Sequence, residues 1–135
     1  LRRTGRNGFF FLLGVTGLLL VFWYRGPCFN LVRSYGGNLT ASFAFYFQVR
    51  SISELLSPRT PTVVRLTSKP ATSALIALLV AGLFEATNGF FGVMTNVYDP
   101  LDYGANALGV AVAVAVDVLA AYVANARKRR IEATT

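Results

Sequence analysis

Uncharged, mostly apolar residues run from Asn7 to Tyr24 (NGFFFLLGVTGLLLVFWY), and a second run, Gly104 to Ala126, carries only the charge of Asp117. A transmembrane helix needs about 20 such residues. The first run has Arg2, Arg3 and Arg6 before it and Arg25 after it, with Trp23 and Tyr24 where an interfacial aromatic belt belongs. A cleavable signal peptide shares the basic start. Here, however, FWYRGPCF occupies the exit in place of a small-x-small cleavage site, so the run reads as a span. The last run ends on Arg127-Lys128-Arg129-Arg130 and reaches about 35 Å as a helix, enough to cross with some tilt.

Two middle segments are less plain. Residues 71–93 (ATSALIALLVAGLFEATNGFFGV) are apolar except for Glu85 and small polar side chains. Residues 34–49 (SYGGNLTASFAFYFQV) begin polar and, taken alone, fit an amphipathic interfacial helix. Phe43, Phe45, Tyr46 and Phe47 make that segment apolar on every side, which suits burial in a membrane bundle. The pattern therefore predicts four spans, at about 7–24, 34–49, 71–93 and 104–126, with three as the alternative.

Charge placement separates the two. With four spans, Arg2, Arg3, Arg6, Arg50, Arg59, Arg65, Lys69, Arg127, Lys128, Arg129 and Arg130 share one side, and only Arg25 and Arg33 lie opposite. Three spans would split the terminal basic clusters across the bilayer. The positive-inside rule thus favours four spans with both termini cytoplasmic. The expected fold is all-α, an integral membrane four-helix bundle forming one transmembrane domain, with a cytoplasmic loop at 50–69. That loop holds Pro58 and Pro61, ends before Pro70, and has room for a short helix near Ser51–Leu56. Gly26-Pro27 marks an external turn, and Asp99-Pro100 a second turn whose proline can open a helix. No soluble domain, internal repeat or low-complexity tract stands out.

Composition narrows the chemistry. Hydrophobic residues make up 54% and charged residues 14% of the chain, against roughly a quarter charged in soluble domains, and mean hydropathy is +0.52. A disordered polar chain is excluded. Cys28 is the sole cysteine, so no intrachain disulfide can form. The absence of histidine removes His-ligated metal or haem, Ser-His-Asp triads and Cys-His pairs; no cofactor is expected. The net charge of +7 marks one membrane face, so the expected partners are lipids and other membrane subunits, with no nucleic acid.

Ionisable groups inside a membrane are costly and so become the candidate site. Glu85 lies toward the outer end of the third span, with Asn88 about one turn beyond. It serves as a bundle-locking hydrogen bonder, as a ligand or proton site, or faces lipid without a role. Asp99, Asp102 and Asn106 share a helical face if the helix begins at Pro100, and Gly109, Ala113 and Asp117 continue it. Small residues at Gly109 and Ala113 admit a close partner helix, leaving a Val/Leu/Ala face for lipid. Asp99 fits a helix cap equally well. Arg33, Tyr35 and Asn38 lie at the outer mouth of the second span, where Arg33 is expected to pair with Asp99 or Asp102. The roles of Asp117 and Cys28 stay open.

Glu85 with Asn88, followed by YDPLDYGANALG, resembles the signature of the VanZ-like family of small bacterial multi-pass membrane proteins. Those proteins pair a helix Glu with D-x-x-D-x-x-x-N-x-x-G, matched here by Glu85 and by Asp99, Asp102, Asn106 and Gly109. VRSYGGNLTASFAFYF likewise resembles the R-x-Y-x-G-(D/N) start of a helix in a related uncharacterised bacterial membrane family, through Arg33, Tyr35, Gly37 and Asn38. The resemblance implies a four- or five-helix bundle in the bacterial inner membrane. The leading expectation is a non-enzymatic protein with an outward-facing polar site for a lipid, envelope ligand or partner. A small accessory subunit of a respiratory or photosynthetic complex is the alternative, and a transporter or enzyme the third.

Overall fold

The computed structural model describes residues 3–55, 69–87 and 99–133. Among them the chain is all helical: α1 (Arg3–Trp23), α2 (Phe29–Leu55), α3 (Pro70–Ala86) and α4 (Pro100–Glu132). Two are long and apolar enough to cross a membrane, α1 over Gly5–Trp23 and α4 over Pro100–Glu132, whereas α3 is apolar but shorter. The sequence places a loop from Arg50, yet α2 continues unbroken to Leu55.

Local chemistry sets the helix ends. Arg25 Nη1 donates to the carbonyls of Tyr24 (2.8 Å) and Phe22 (3.2 Å), occupying acceptors that the end of α1 leaves open. The turn into α2 closes with Tyr24 OH donating to the Pro27 carbonyl, and Cys28 takes a left-handed φ of 56°. Both α3 and α4 start with proline, whose missing N–H costs nothing in the first turn.

α2 is the hub. α1 packs on α2 alone, while α2, α3 and α4 touch one another in a triangle. α2 carries Asn30, Arg33, Ser34, Asn38, Ser42 and Gln48 and so does not read as a simple apolar span: Ser42 is buried and Asn38 half-buried against the neighbouring helices, while Asn30, Arg33, Ser34 and Gln48 are exposed. The α1–α2 hairpin closes through glycine. A Cβ on Gly14 would stand 2.8 Å from Ala44 Cβ, and one on Gly17 would stand 3.1 Å from Thr40 Cγ2. Nearer the first residues of α1, Phe10 stacks on Phe47 with ring centres 4.9 Å apart.

The core comprises Phe43, Tyr46, Phe47, Ala77, Val110 and Ala113. Tyr35 meets Asp99 and Ser42 meets Asn106, so α2 and α4 run parallel. α3 runs against them, with Glu85 on Asn106 and Ala77 beside Val110 and Ala113. Where α2 crosses α4, a Cβ on Gly109 would overlap the Leu39 carbonyl oxygen and lie 3.0 Å from its carbon. Only glycine permits that approach.

Candidate functional site

Along α2, Tyr35, Asn38, Ser42 and Tyr46 recur at helical spacing and so share a face. The facing stripe on α4 is Asp99, Asp102, Asn106, Gly109, Ala113 and Asp117, and the last five of these are buried. Leu101, Leu108, Val112, Val118 and Leu119 occupy the opposite, exposed side. The face that the sequence directs into protein is thus the covered one.

At one end these stripes assemble a polar cluster. Tyr35 OH donates to Asp99 Oδ2 (3.0 Å), while Asp99 Oδ1 accepts the Leu101 N–H (2.9 Å). Asp99 is therefore both the cap of α4 and an acceptor for α2. One turn deeper, Asn38 hydrogen-bonds Asp102. Ser42 Oγ donates to Asn106 Oδ1, and Asn106 Nδ2 donates to Glu85 Oε1 at 3.3 Å. Asn106 thereby links all three core helices. Glu85 is 1% exposed, and Asp102 and Asn106 are each 5% exposed, so this inner layer is closed. Asp99 and Tyr35, half-buried, form its rim.

Arg33 stands apart from the cluster. Two helical residues subtend about 200°, so Arg33 points away from the face that carries Tyr35. Its guanidinium lies 5.7 Å from the centre of the Phe29 ring, one turn back, and Arg25 sits 5.2 Å from the same ring. The expected pairing of Arg33 with Asp99 or Asp102 is replaced by Tyr35 on Asp99. Asn88 lies outside the described residues. Gly109 and Ala113 sit at the helix contact assigned to them.

A second polar cluster, at the other end, was not assembled from the sequence. Arg6 Nη2 reaches Asp117 Oδ1 at 2.7 Å, Arg50 Nη2 reaches Asp117 Oδ2 at 3.0 Å, and Tyr46 OH donates to Asp117 Oδ2 at 2.9 Å. Three helices converge on one carboxylate that is 1% exposed, with Arg50 buried beside it, and Asn7, next to Arg6 in α1, is fully buried. The available signal was Asp117 itself. A lone carboxylate in an apolar run needs a cation, and Arg6 and Arg50 both border other apolar runs. Counting them only as loop charges hid that use.

Chemically, the first cluster offers carboxylates, amides and hydroxyls without a described cation, and so suits a hydrogen-bonding or cationic group at its rim. The second is an ion network in which Arg6, Arg50 and Tyr46 meet the Asp117 carboxylate, while the buried Arg6 Nε makes no hydrogen bond among the described residues. No group of three or more metal-ligating Cys, Asp or Glu side chains occurs among the described residues. No protein-family model matches the chain, and no curated protein or solved structure matches it.

Proposed function

We propose that the chain is a non-enzymatic integral membrane protein of four spans, VanZ-like, with both termini in the cytoplasm of a bacterium. In this reading the Glu85/Asp102/Asn106 cluster faces outward, and its Tyr35–Asp99 rim receives a lipid headgroup, envelope ligand or partner. One observation carries the proposal. Among the described residues, the buried Ser42, Glu85, Asp102 and Asn106 and the half-buried Tyr35, Asn38 and Asp99 gather toward the end of the bundle at which Arg25 and Arg33 are the cations. A membrane setting is supported by the surface, where Phe9, Leu12, Leu13, Leu19, Leu20, Leu101, Leu108 and Leu119 are all exposed. Contiguous apolar area of that extent is a liability in water and normal in lipid.

Reporter fusions at each terminus test the orientation; a periplasmic signal from either end removes it. For the site, the rim variant Tyr35→Phe/Asp99→Asn keeps side-chain shape and spares the closed layer. Loss of a copurifying lipid or ligand from this folded variant is the expected result. Identical copurification from wild type and variant refutes the rim as the site.

The accessory-subunit reading draws on a different observation. α1 packs on one helix only, which leaves most of its apolar circumference uncovered. Migration at monomer size in mild detergent would count against it.

A further inference from the structure

We infer that the end of α4 is a collar for anionic phospholipid headgroups in the leaflet on its own side. The inference rests on the membrane-spanning reading above and concerns the end of the bundle opposite the polar cluster.

The depth of the bilayer can be read from the helix contacts. Gly14 on Ala44 and Gly17 on Thr40 fix α1 against α2, and Tyr35–Asp99 and Ser42–Asn106 fix α2 against α4. With those registers, Arg25, Arg33 and Asp99 share one level, and Arg6, Arg50 and Asp117 share the other. The helical rise from Asp99 to Asp117 is about 27 Å, close to the roughly 30 Å hydrocarbon layer of a bilayer. Placing the boundary at Arg127 instead would bring Arg6, which is partly exposed, and the α3 cap Lys69 into the acyl chains. That is the more costly register.

α4 does not stop at that boundary. It runs on to Glu132, and from Tyr122 onward every residue to Ala133 is exposed. Headgroups occupy about 5–8 Å on each side of the hydrocarbon. Leu119 and Tyr122 fall in this zone, where an aromatic ring with a polar tip belongs. Arg127 follows about 15 Å beyond Asp117, so Arg127, Lys128, Arg129 and Arg130 stand just past the phosphates, within about one Debye length. Four successive residues, 100° apart, place positive charge on every side of the helix. A single-faced protein partner needs only one side, whereas an upright helix ringed by headgroups uses them all. Glu132 offsets one charge, 3.7 Å from Lys128.

The test uses the full chain in nanodiscs of zwitterionic phosphatidylcholine with about one-third phosphatidylglycerol, with spin-labelled lipids reporting occupancy of the protein's lipid shell. Phosphatidylglycerol is expected to be preferred about threefold, falling toward no preference for R127Q/K128Q/R129Q/R130Q and at high salt. The opposite-side variant R25Q should keep the preference. No preference in wild type, or one that survives the quadruple substitution, overturns the collar. So does its loss to millimolar inorganic phosphate at constant ionic strength, because a collar reads a charged surface and not a single ion. Tight binding of a single-stranded oligonucleotide in purely zwitterionic discs, without a phosphatidylglycerol preference, assigns the basic run to nucleic acid instead. Release of the chain from membranes by alkaline carbonate is a separate failure, which removes the spanning reading and the collar with it.

Discussion

The two ends of this bundle solve the problem of buried polarity in opposite ways. At the Asp99 end, α2, α3 and α4 contribute side chains from within their own length, and amides and hydroxyls link the carboxylates. At the Asp117 end, one carboxylate draws an arginine from α1, an arginine from α2 and a tyrosine hydroxyl. The first end is a mesh of many modest bonds; the second is a charge-assisted hub that ties α1 to α4, which α1 does not otherwise pack against. A hub concentrates its loss in one residue, whereas a mesh spreads it.

The sharpest way to break the comparison is Asp117→Ala. Removing the carboxylate strands the buried Arg50 and the half-buried Arg6 and should cost about 3 kcal/mol of stability, read by denaturation in detergent. Exchanging the set together, as Arg6→Met/Arg50→Met/Asp117→Leu, should recover much of that loss, because no uncompensated charge is left. If the single and triple variants unfold alike, the hub description fails.

Gly109→Val comes next. Its side chain would meet the Leu39 backbone, which cannot swing aside, so about 3 kcal/mol should be lost, the upper end for overpacking. Gly104→Ala, within the same helix but with open space around it, is the control and should keep or slightly raise the melting temperature.

Asn106→Leu probes the mesh. It leaves Glu85 and Ser42 each short of one bond and should cost about 1–2 kcal/mol, clearly less than Asp117→Ala. A loss as large as that of Asp117→Ala would make Asn106 a second hub. Smallest is Arg33→Gln, expected within about 0.5 kcal/mol, since only an exposed contact over Phe29 is removed.

The inward stripe of α4 was legible because helical periodicity puts Asp102, Asn106, Gly109, Ala113 and Asp117 on one side whatever surrounds the helix. The capping role of Asp99 was legible for the same local reason, an acceptor side chain just before Pro100. Arg33 went astray because its proximity to Asn38 in sequence suggested the same mouth, while helix geometry turned it the other way. The Arg6–Asp117 contact joins residues separated by most of the chain, and no local pattern encodes which arginine a lone aspartate will receive.

By itself, the sequence determined the helices, the apolar surface of α1 and α4, and which residues of α4 turn inward. These depend on hydrophobic periodicity and on proline and glycine, which act over a few residues. Only the tertiary structure decided that α2 is the hub, that α2 and α4 run parallel in contact at Gly109, and that Asp117 sits between two arginines. Such choices depend on which surfaces can approach closely enough to exclude solvent and pair charge. That closeness is a property of whole helices packed together, set where glycine lets one backbone rest on another.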